Sequence, residues 1–281
     1  MSRVAIVADS GCDLPPPLPD HYGIGLVSLI ARFGDEELLD TPATRSRFWE
    51  LYDRGPPPQS AAPGAGAWAE AFATALGRAD EVIALTITSR HSATYNGAVL
   101  AASEFGDRVH VFDSWSLSLG EGLLVLHAAR RAAAGATAAT ILAELTDLRS
   151  RLQVGFVLES LDAIQRGGRL APVIAAIKRM GSVFTIKPIL AIHEGTIRLD
   201  GAARGMRRGL QTLIDRVPSG RVLMAAVGHT RRPELAQAVA DTLAVAAAFP
   251  REDILVGEIG PALAVHAGPG AIGVGFIATD R

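Results

Sequence analysis

Short apolar runs in the first half of the chain are separated by segments with helical spacing. The runs VAIVA (4–8), EVIALTI (81–87) and RVHVFDS (108–114) have the length and apolar content of buried strands. Helical patterns cover residues 68–80 and 120–134 between and after them. Strands that alternate with helices form parallel sheets covered by helices on both faces. The sequence therefore predicts an α/β domain built on a parallel sheet.

The pattern changes after about residue 152. Residues 184–201 alternate around His-Glu-Gly, which is typical of a hairpin, and residues 221–229 and 271–279 are typical of strands. We therefore predict two domains, an N-terminal α/β domain over 1–152 and a mixed α/β domain over 153–281.

Two further segments of the first half have clear patterns. Residues 25–31 have the composition of one strand. Residues 55–67 are rich in proline and glycine, which do not fit inside a helix or a central strand, so this segment is predicted to be a loop.

Composition excludes several classes of protein. The chain has 281 residues, of which 49% are apolar, and a formal net charge of −2, so nucleic-acid binding is not indicated. Its single cysteine, Cys12, forms neither an internal disulfide nor a zinc cluster. The first residues lack the apolar stretch of a signal peptide, and no segment has the length of a membrane span. We expect a cytoplasmic protein without stable membrane insertion.

Three predicted strands end in hydroxyl-bearing residues. These are Asp9-Ser10, Thr88-Ser89 with Ser92 and Thr94 nearby, and Asp113-Ser114. Open parallel sheets bind ligands beyond the carboxyl ends of their strands, so these groups are expected to form one polar cleft. Residues 92–96 fall at a predicted helix N-terminus, which favours a carboxylate or phosphate. The alternative is that Ser92 only caps its own helix.

Two other motifs carry candidate binding groups. Arg166 and Arg169 flank a Gly-Gly turn, where glycine permits close approach of a ligand, although a surface arginine is usually only solvated. His266 lies between an apolar run and a Gly-Pro turn and could donate to a carboxylate. It could equally be a half-buried histidine that is bonded to a carbonyl.

Motifs for catalysis are absent from the sequence. It has neither the GxSxG motif of α/β-hydrolases nor a P-loop. Ser92, His266 and Asp9 could form a nominal triad, so an acyl hydrolase is kept as an alternative, but we expect no enzyme activity.

Six blocks together resemble the DegV family of fatty-acid-binding proteins, whose kinase-coupled members are FakB-type carriers. The blocks follow the family's order and run nearly end to end: 4–15, 88–98, 111–125, 158–171, 186–197 and 259–276. The resemblance implies a two-domain DegV-like α/β fold with a long-chain fatty acid in a tunnel between the domains. No other cofactor is implied.

The resemblance also implies roles for particular residues. Ser92 and Asn96 match the turn that holds the carboxyl head group, and His266 and Arg169 match two further family positions. The other residues predicted to bind the ligand by this resemblance are Ser10, Ser60 and Ser118. Where the family usually has a threonine next to Ser60, this chain has Pro58.

In kinase-coupled relatives a basic surface docks the partner kinase, which phosphorylates the carboxylate that the carrier presents. Arg204 matches that surface and Arg207 follows it, whereas Met206 replaces a residue that is often basic. The resemblance thus implies a fatty acid kinase as partner. The alternative is a lipid-responsive protein without a kinase.

The chemistry of a fatty acid fits such a site. Each buried CH₂ contributes about 0.8 kcal/mol, so about fourteen of them contribute on the order of 10 kcal/mol before costs. One head-group hydrogen bond adds only about 1–3 kcal/mol, so the tail is expected to set affinity and the head to set orientation. Aliphatic candidates for the tail channel, each equally suited to ordinary core, are Val173, Ile174, Ile177, Phe184 and Ile186.

Overall fold

The computed structural model describes residues 3–160 and 186–280. Its first sheet is parallel throughout, with strand order β2-β1-β6-β7. The strands are β1 (Val4–Asp9), β2 (Gly25–Val27), β6 (Glu81–Thr86) and β7 (Val109–Asp113). The predicted N-terminal parallel sheet is therefore confirmed.

Helices cover both faces of this sheet. Side chains alternate along a strand, so Ile6 and Ile83 pack on one face while Val7 and Val82 pack on the other. The first face is covered by α5 (Leu119–Ala133) and α6 (Ala138–Arg151), and the second by α3 (Ala65–Leu76) and α4 (Thr94–Ala102). Because both faces are buried, the strands are apolar at consecutive positions rather than at alternate ones.

The second sheet is mixed and has six strands in the order β10-β9-β8-β13-β11-β12. Only β11 and β12 pair in parallel among these strands, and the other neighbours are antiparallel. Its strands are β8 (Leu152–Val157), β9 (Ile186–His193), β10 (Thr196–Arg204), β11 (Val222–His229), β12 (Ile254–Glu258) and β13 (Ile272–Ala278). Two amphipathic helices, α7 (Met206–Ile214) and α8 (Pro233–Ala247), pack on this sheet. The mixed second half is confirmed.

Helix α5 packs against both sheets. Its residues Leu123 and Leu126 share one buried cluster with Ile83 of the first sheet and with Ala226 and Ile277 of the second. The two halves therefore meet through a common core, and β8 begins directly after α6 ends at Arg151. The boundary near residue 152 falls at that junction, but the division into 1–152 and 153–281 stays a prediction.

A third, three-stranded antiparallel sheet was not predicted. Its strands are β3 (Ile30–Phe33), β4 (Glu36–Leu39) and β5 (Gln59–Ala61) in the order β4-β3-β5. Residues 25–31 are thus not one strand, because β2 and β3 belong to different sheets. The proline-rich segment 55–67 also contains β5 and the start of α3, since its prolines stand outside those short pieces.

Three further α-helices belong to the described part of the chain. Helix α1 (Leu18–Tyr22) follows the first strand, and α2 (Arg45–Arg54) follows β4. Near the end of the chain, α9 (Pro261–Ala267) was not predicted as a helix, and Pro261 occupies its first turn, where proline is tolerated. Val265 of α9 packs against Phe33 and Phe48 of the first half.

The hairpin predicted at His-Glu-Gly is confirmed and contacts the other half. Glu194 and Gly195 both have positive φ, 47° and 79°, as in the tight turns that join antiparallel strands. The Gly195 carbonyl accepts a hydrogen bond of 2.8 Å from Thr88 Oγ1. The Ile197 N–H, just beyond the turn, donates to His91 Nε2 at 2.9 Å. The hairpin therefore fixes the loop between β6 and α4 to the second sheet.

This contact leaves no space for a side chain at Gly195. A Cβ there would lie 2.6 Å from Thr88 Oγ1, whereas a Cβ at Gly135, which has the same φ of 79°, would have no heavy atom within 4 Å. Gly135→Ala should cost only the left-handed backbone penalty, roughly 1–2 kcal/mol of unfolding free energy. Gly195→Ala should cost roughly 1–3 kcal/mol more, because the methyl group also displaces Thr88. Denaturant unfolding of both variants measures the difference, and equal losses would contradict the described contact.

Candidate functional site

A cavity lies between the two halves of the chain. The described residues that line it are divided evenly, nine from the first half and nine from the second. The centre of a water molecule could occupy a volume of ≈ 100 Å³ inside this cavity. A single water needs only about 10–15 Å³ in this measure, so the cavity is suited to a larger ligand.

Most of the cavity wall is apolar. Twelve of the eighteen described lining residues are aliphatic or aromatic: Leu29, Ala61, Ile87, Leu117, Phe156, Leu158, Leu190, Ile197, Ile259, Ala262, Leu263 and Ala267. The other six are polar: Ser60, Thr88, His91, Ser92, Ser118 and His266. An apolar wall with a few polar groups is the usual composition of a site for an amphipathic small molecule.

Ser60 and His266 meet at this cavity. Ser60 lies in the short strand β5 and His266 in the last turn of α9, 206 positions later, and Ser60 Oγ is 2.8 Å from His266 Nε2. Which of the two atoms donates depends on the tautomer of the imidazole. The structure thus brings together two residues that the sequence predicted separately.

Ser92 also lines the cavity and at the same time supports helix α4. Its Oγ is 2.7 Å from Thr94 Oγ1 and accepts a hydrogen bond of 3.2 Å from the Thr94 N–H. The two interpretations of Ser92, cavity residue and local helix support, are therefore compatible, because a hydroxyl oxygen has two lone pairs.

Asn96 lies outside the cavity lining, against the expectation from sequence. It is exposed on α4, which begins only at Thr94.

Ser118 and Ser10 lie on opposite sides of the cavity wall. Ser118 is buried, lines the cavity, and donates to Asp13 Oδ2 at 2.7 Å. Ser10 is not part of the described lining, and its role in ligand binding stays a prediction. Its Oγ instead accepts from the N–H of Leu29, a lining residue, at 2.9 Å.

Four acidic side chains are buried behind this part of the wall, a feature that the sequence reasoning missed. Asp9, Asp13 and Asp40 are 0%, 4% and 4% exposed, and Glu121 in the first turn of α5 is 0% exposed. Burial raises the pKa of Asp9 to about 7, and burial likewise raises the pKa of Asp40 to about 7. Burial, and next the charge of Asp40, raise the pKa of Asp13 well above its usual value. The only sequence signal was the position of Asp9 and Asp13 around a strand end.

Of the four buried acids, Glu121 has the fewest hydrogen bonds to offset the cost of its burial. Both of its carboxyl oxygens are buried without a hydrogen-bond partner among the described residues. Burial first, and then the charges of Asp9 and Asp13, raise the pKa of Glu121 well above its usual value. A carboxyl in such surroundings is stable only in its neutral form, since an isolated charge is costly to bury.

The geometry does not assemble the nominal hydrolase triad. His266 Nε2 is bonded to Ser60, while the contact of Ser92 Oγ is with Thr94. The oxygens of Asp9 accept the N–H groups of Gly11 at 2.9 Å and Ile87 at 2.8 Å. No relay from carboxylate to imidazole to hydroxyl is present among the described contacts of these three residues.

The structure describes only some of the arginines that the sequence analysis singled out. Arg204 ends β10 and Arg207 lies in the first turn of α7, and both are exposed and away from the cavity lining. The remaining candidates lie outside the described residues: Arg166, Arg169, Val173, Ile174, Ile177 and Phe184.

Comparison with known proteins agrees with this architecture. The model of the DegV family, a family of uncharacterised proteins, matches residues 3–279. The chain belongs to the DegV family. A DegV domain-containing protein from Caldanaerobacter subterraneus is 32% identical over 98% of this chain and 99% of its own length. One from Deinococcus radiodurans is 34% identical, with coverage of 96% and 97%.

Solved DegV structures have the same fold. A DegV family protein from Thermus thermophilus, described for fatty acid binding, superposes with a TM-score of 0.85 at 30% identity, covering 98% of this chain and 99% of its own. DegV from Bacillus subtilis, described as a fatty acid binding protein, has a TM-score of 0.84 at 25% identity, with coverage of 99% and 100%. A DegV family protein from Eubacterium eligens, loaded with heptadecanoic acid, has a TM-score of 0.83 at 25% identity and the same coverage.

Two other properties concern only the residues that the structure describes. None of their helices is both long and apolar enough to cross a membrane. No group of three or more of their His, Cys, Asp or Glu side chains is arranged to hold a metal ion. The expectation that this DegV protein needs no cofactor stays a prediction.

The buried acids predict an unusual pH dependence of stability. Because the pKa of Asp9 is about 7 in the fold and about 3.9 in an unfolded chain, the native state holds the extra proton between these values. Stability should therefore fall as pH rises from about 4 to about 7, by at most about 1.4 kcal/mol per pH unit from this residue. In Asp9→Asn this part of the slope should disappear.

Unfolding free energies of wild type and Asp9→Asn between pH 4 and 8 provide the measurement. Asp107→Asn, at an exposed position, controls for the loss of one acidic side chain. Parallel curves for wild type and Asp9→Asn would show that the Asp9 carboxyl ionises normally in the folded protein.

Proposed function

We propose that this DegV protein binds a long-chain fatty acid in the cavity between its halves. The carboxylate lies near Ser60, Ser92 and His266, and the tail lies along the apolar wall. The observation that carries the proposal is the combination of a mostly apolar lining with the hydrogen-bonded Ser60–His266 pair in one cavity. Fatty acid binding by solved relatives with the same fold supports it.

The tail and the head group of the fatty acid contribute different amounts of binding free energy. About fourteen buried methylenes contribute on the order of 10 kcal/mol before costs, which exceeds what the head-group hydrogen bonds add. Hydroxyls and an imidazole hold a carboxylate less tightly than a bidentate arginine does, so they leave an oxygen able to react. Such a site is suited to a carrier that presents its ligand.

The finer part of the proposal is that a separate fatty acid kinase phosphorylates the presented carboxylate. The exposed arginines Arg204, Arg207 and Arg208 support a docking surface for it, because they adjoin one another at the start of α7. The sequence contains no P-loop, and the described contacts do not join Ser92, His266 and Asp9 into a triad. A lipid-responsive protein without a kinase partner would have the same cavity but would not need this surface.

Ligand retention tests the carrier function directly. Mass spectrometry of the freshly purified, denatured protein should detect a co-purifying fatty acid of C14 to C18. Ligand-stripped wild-type protein should bind stearic acid with an affinity that falls roughly 10- to 100-fold in Ser60→Ala or His266→Ala, since each loses a hydrogen bond to a charged group.

Asn96→Ala is the matched control, because Asn96 is polar and exposed on α4 outside the cavity lining. It should bind stearic acid like wild type. Equal affinities for wild type and the double variant Ser60→Ala/His266→Ala would place the head group elsewhere.

Kinase coupling needs a separate assay. With a fatty acid kinase, ATP and the stearate-loaded carrier, acyl-phosphate should form, and Arg204→Ala should reduce its rate about tenfold or more while stearate stays bound. Arg54→Ala, at an exposed arginine of α2, serves as the control. If Arg204→Ala also empties the cavity, or if its rate equals that of wild type, the docking role is wrong.

A further inference from the structure

Helix α9 supplies four residues of the cavity wall: Ala262, Leu263, His266 and Ala267. It has only seven residues. A helix of this length is not stable by itself in water, so its position has to come from tertiary contacts. What holds its first turn therefore decides where His266 lies in its last turn.

Two buried carboxyl groups contact the start of α9. Asp13 Oδ1 accepts a hydrogen bond of 2.8 Å from the Gly260 N–H, and Asp40 Oδ2 accepts one of 3.3 Å from the Ala262 N–H. Both aspartates belong to the first half of the chain. The first N–H groups of a helix have no partner within the helix, so these two acceptors satisfy donors that would otherwise be buried and unpaired.

Gly260 shows how closely the carboxyls approach. A Cβ at this position would lie 2.4 Å from Asp40 Oδ1 and 3.0 Å from Asp13 Oδ1. The backbone of Gly260 is ordinary, with φ −70° and ψ 165°, so it does not require glycine for conformational reasons. The absence of a side chain is needed only to let α9 reach the two carboxyls.

Asp13 connects a third part of the site. Its Oδ2 accepts from Ser118 Oγ at 2.7 Å, and Ser118 lines the cavity just before α5. Asp13 therefore joins the segment after β1, the start of α5 and the start of α9. The charged or titratable groups that act on the Asp13–Asp40 pair include Arg45, which is also near it.

We propose that Asp13 and Asp40 are positioning residues for the head-group end of the cavity. They fix the first turn of α9 and thereby hold His266 against Ser60, and Asp13 also fixes Ser118. Neither carboxyl contacts the ligand. The consequence for fatty acid affinity rests on the proposed function, whereas the consequence for His266 does not.

The cleanest variant is Gly260→Ala, which moves α9 away from both carboxyls without removing a buried acid. Its matched control is Gly64→Ala. Gly64 also precedes the first residue of a helix, has φ −69° and ψ 160°, and has no heavy atom within 4 Å of where its Cβ would lie. Both substitutions are equally easy for the backbone, so only Gly260→Ala should disturb the site.

The direct measurement is the NMR signal of the His266 imidazole in ligand-stripped, histidine-labelled protein, assigned with His266→Ala. The signal should shift in Gly260→Ala and stay unchanged in Gly64→Ala. Asp13→Ala and Asp40→Ala should shift it as well, while Asp13→Asn, which keeps an acceptor for Gly260, should restore it in part. An unchanged His266 signal in folded Gly260→Ala would overturn the proposal.

Stearic acid titration of the same variants distinguishes the positioning of His266 by the two carboxyls from the role of His266 at the head group. Gly260→Ala should bind about tenfold more weakly or worse, because the imidazole no longer lies at the head group. A shifted signal with wild-type affinity would support the positioning role and would contradict the assignment of His266 to the head group. A wild-type signal with weakened affinity would overturn the positioning role alone.

Discussion

The site depends on one contact between distant parts of the chain, the hydrogen bond between Ser60 and His266. Ser60 lies in a three-residue edge strand and His266 lies in a seven-residue helix, and neither element is stable by itself. The helix packs through Val265 against Phe33 and Phe48, and β5 pairs with β3, the strand that carries Phe33. The polar end of the cavity is therefore built where the two halves of the fold stabilise each other, and separating the halves would remove it.

The electrostatic surroundings complement this arrangement. Four buried acids lie behind the wall, and burial favours the neutral form of each. A neutral carboxyl can still accept the N–H groups that hold α9, but it does not repel an anionic head group as a carboxylate would. Ser118 links the cavity to these acids, because it lines the cavity and its hydroxyl donates a hydrogen bond to Asp13. Hydrogen bonding is thus retained behind the site, with less negative charge than four exposed carboxylates would carry.

Sequence patterns predicted the structure well where it depends only on neighbouring residues within one strand, helix or turn. The doubly buried strand β1 and the tight turn at Glu194-Gly195 follow from local periodicity and turn chemistry. Pairing between Ser60 and His266 could not be predicted, because no local pattern specifies a partner 206 positions away. The strand β5 was hidden among prolines, and α9 was too short to show a helical period.

The same described contacts do not assemble the nominal triad of Ser92, His266 and Asp9. A nucleophilic serine needs a base within hydrogen-bond reach that is itself oriented by a third group. Here the imidazole of His266 is directed to Ser60, Ser92 is bonded to Thr94, and Asp9 is occupied by backbone amides of Gly11 and Ile87. Among these described contacts, Ser92, His266 and Asp9 are not hydrogen-bonded to one another. For the proposed fatty acid ligand, hydroxyls that are held in this way would add directional hydrogen bonds, while the apolar wall would supply most of the affinity.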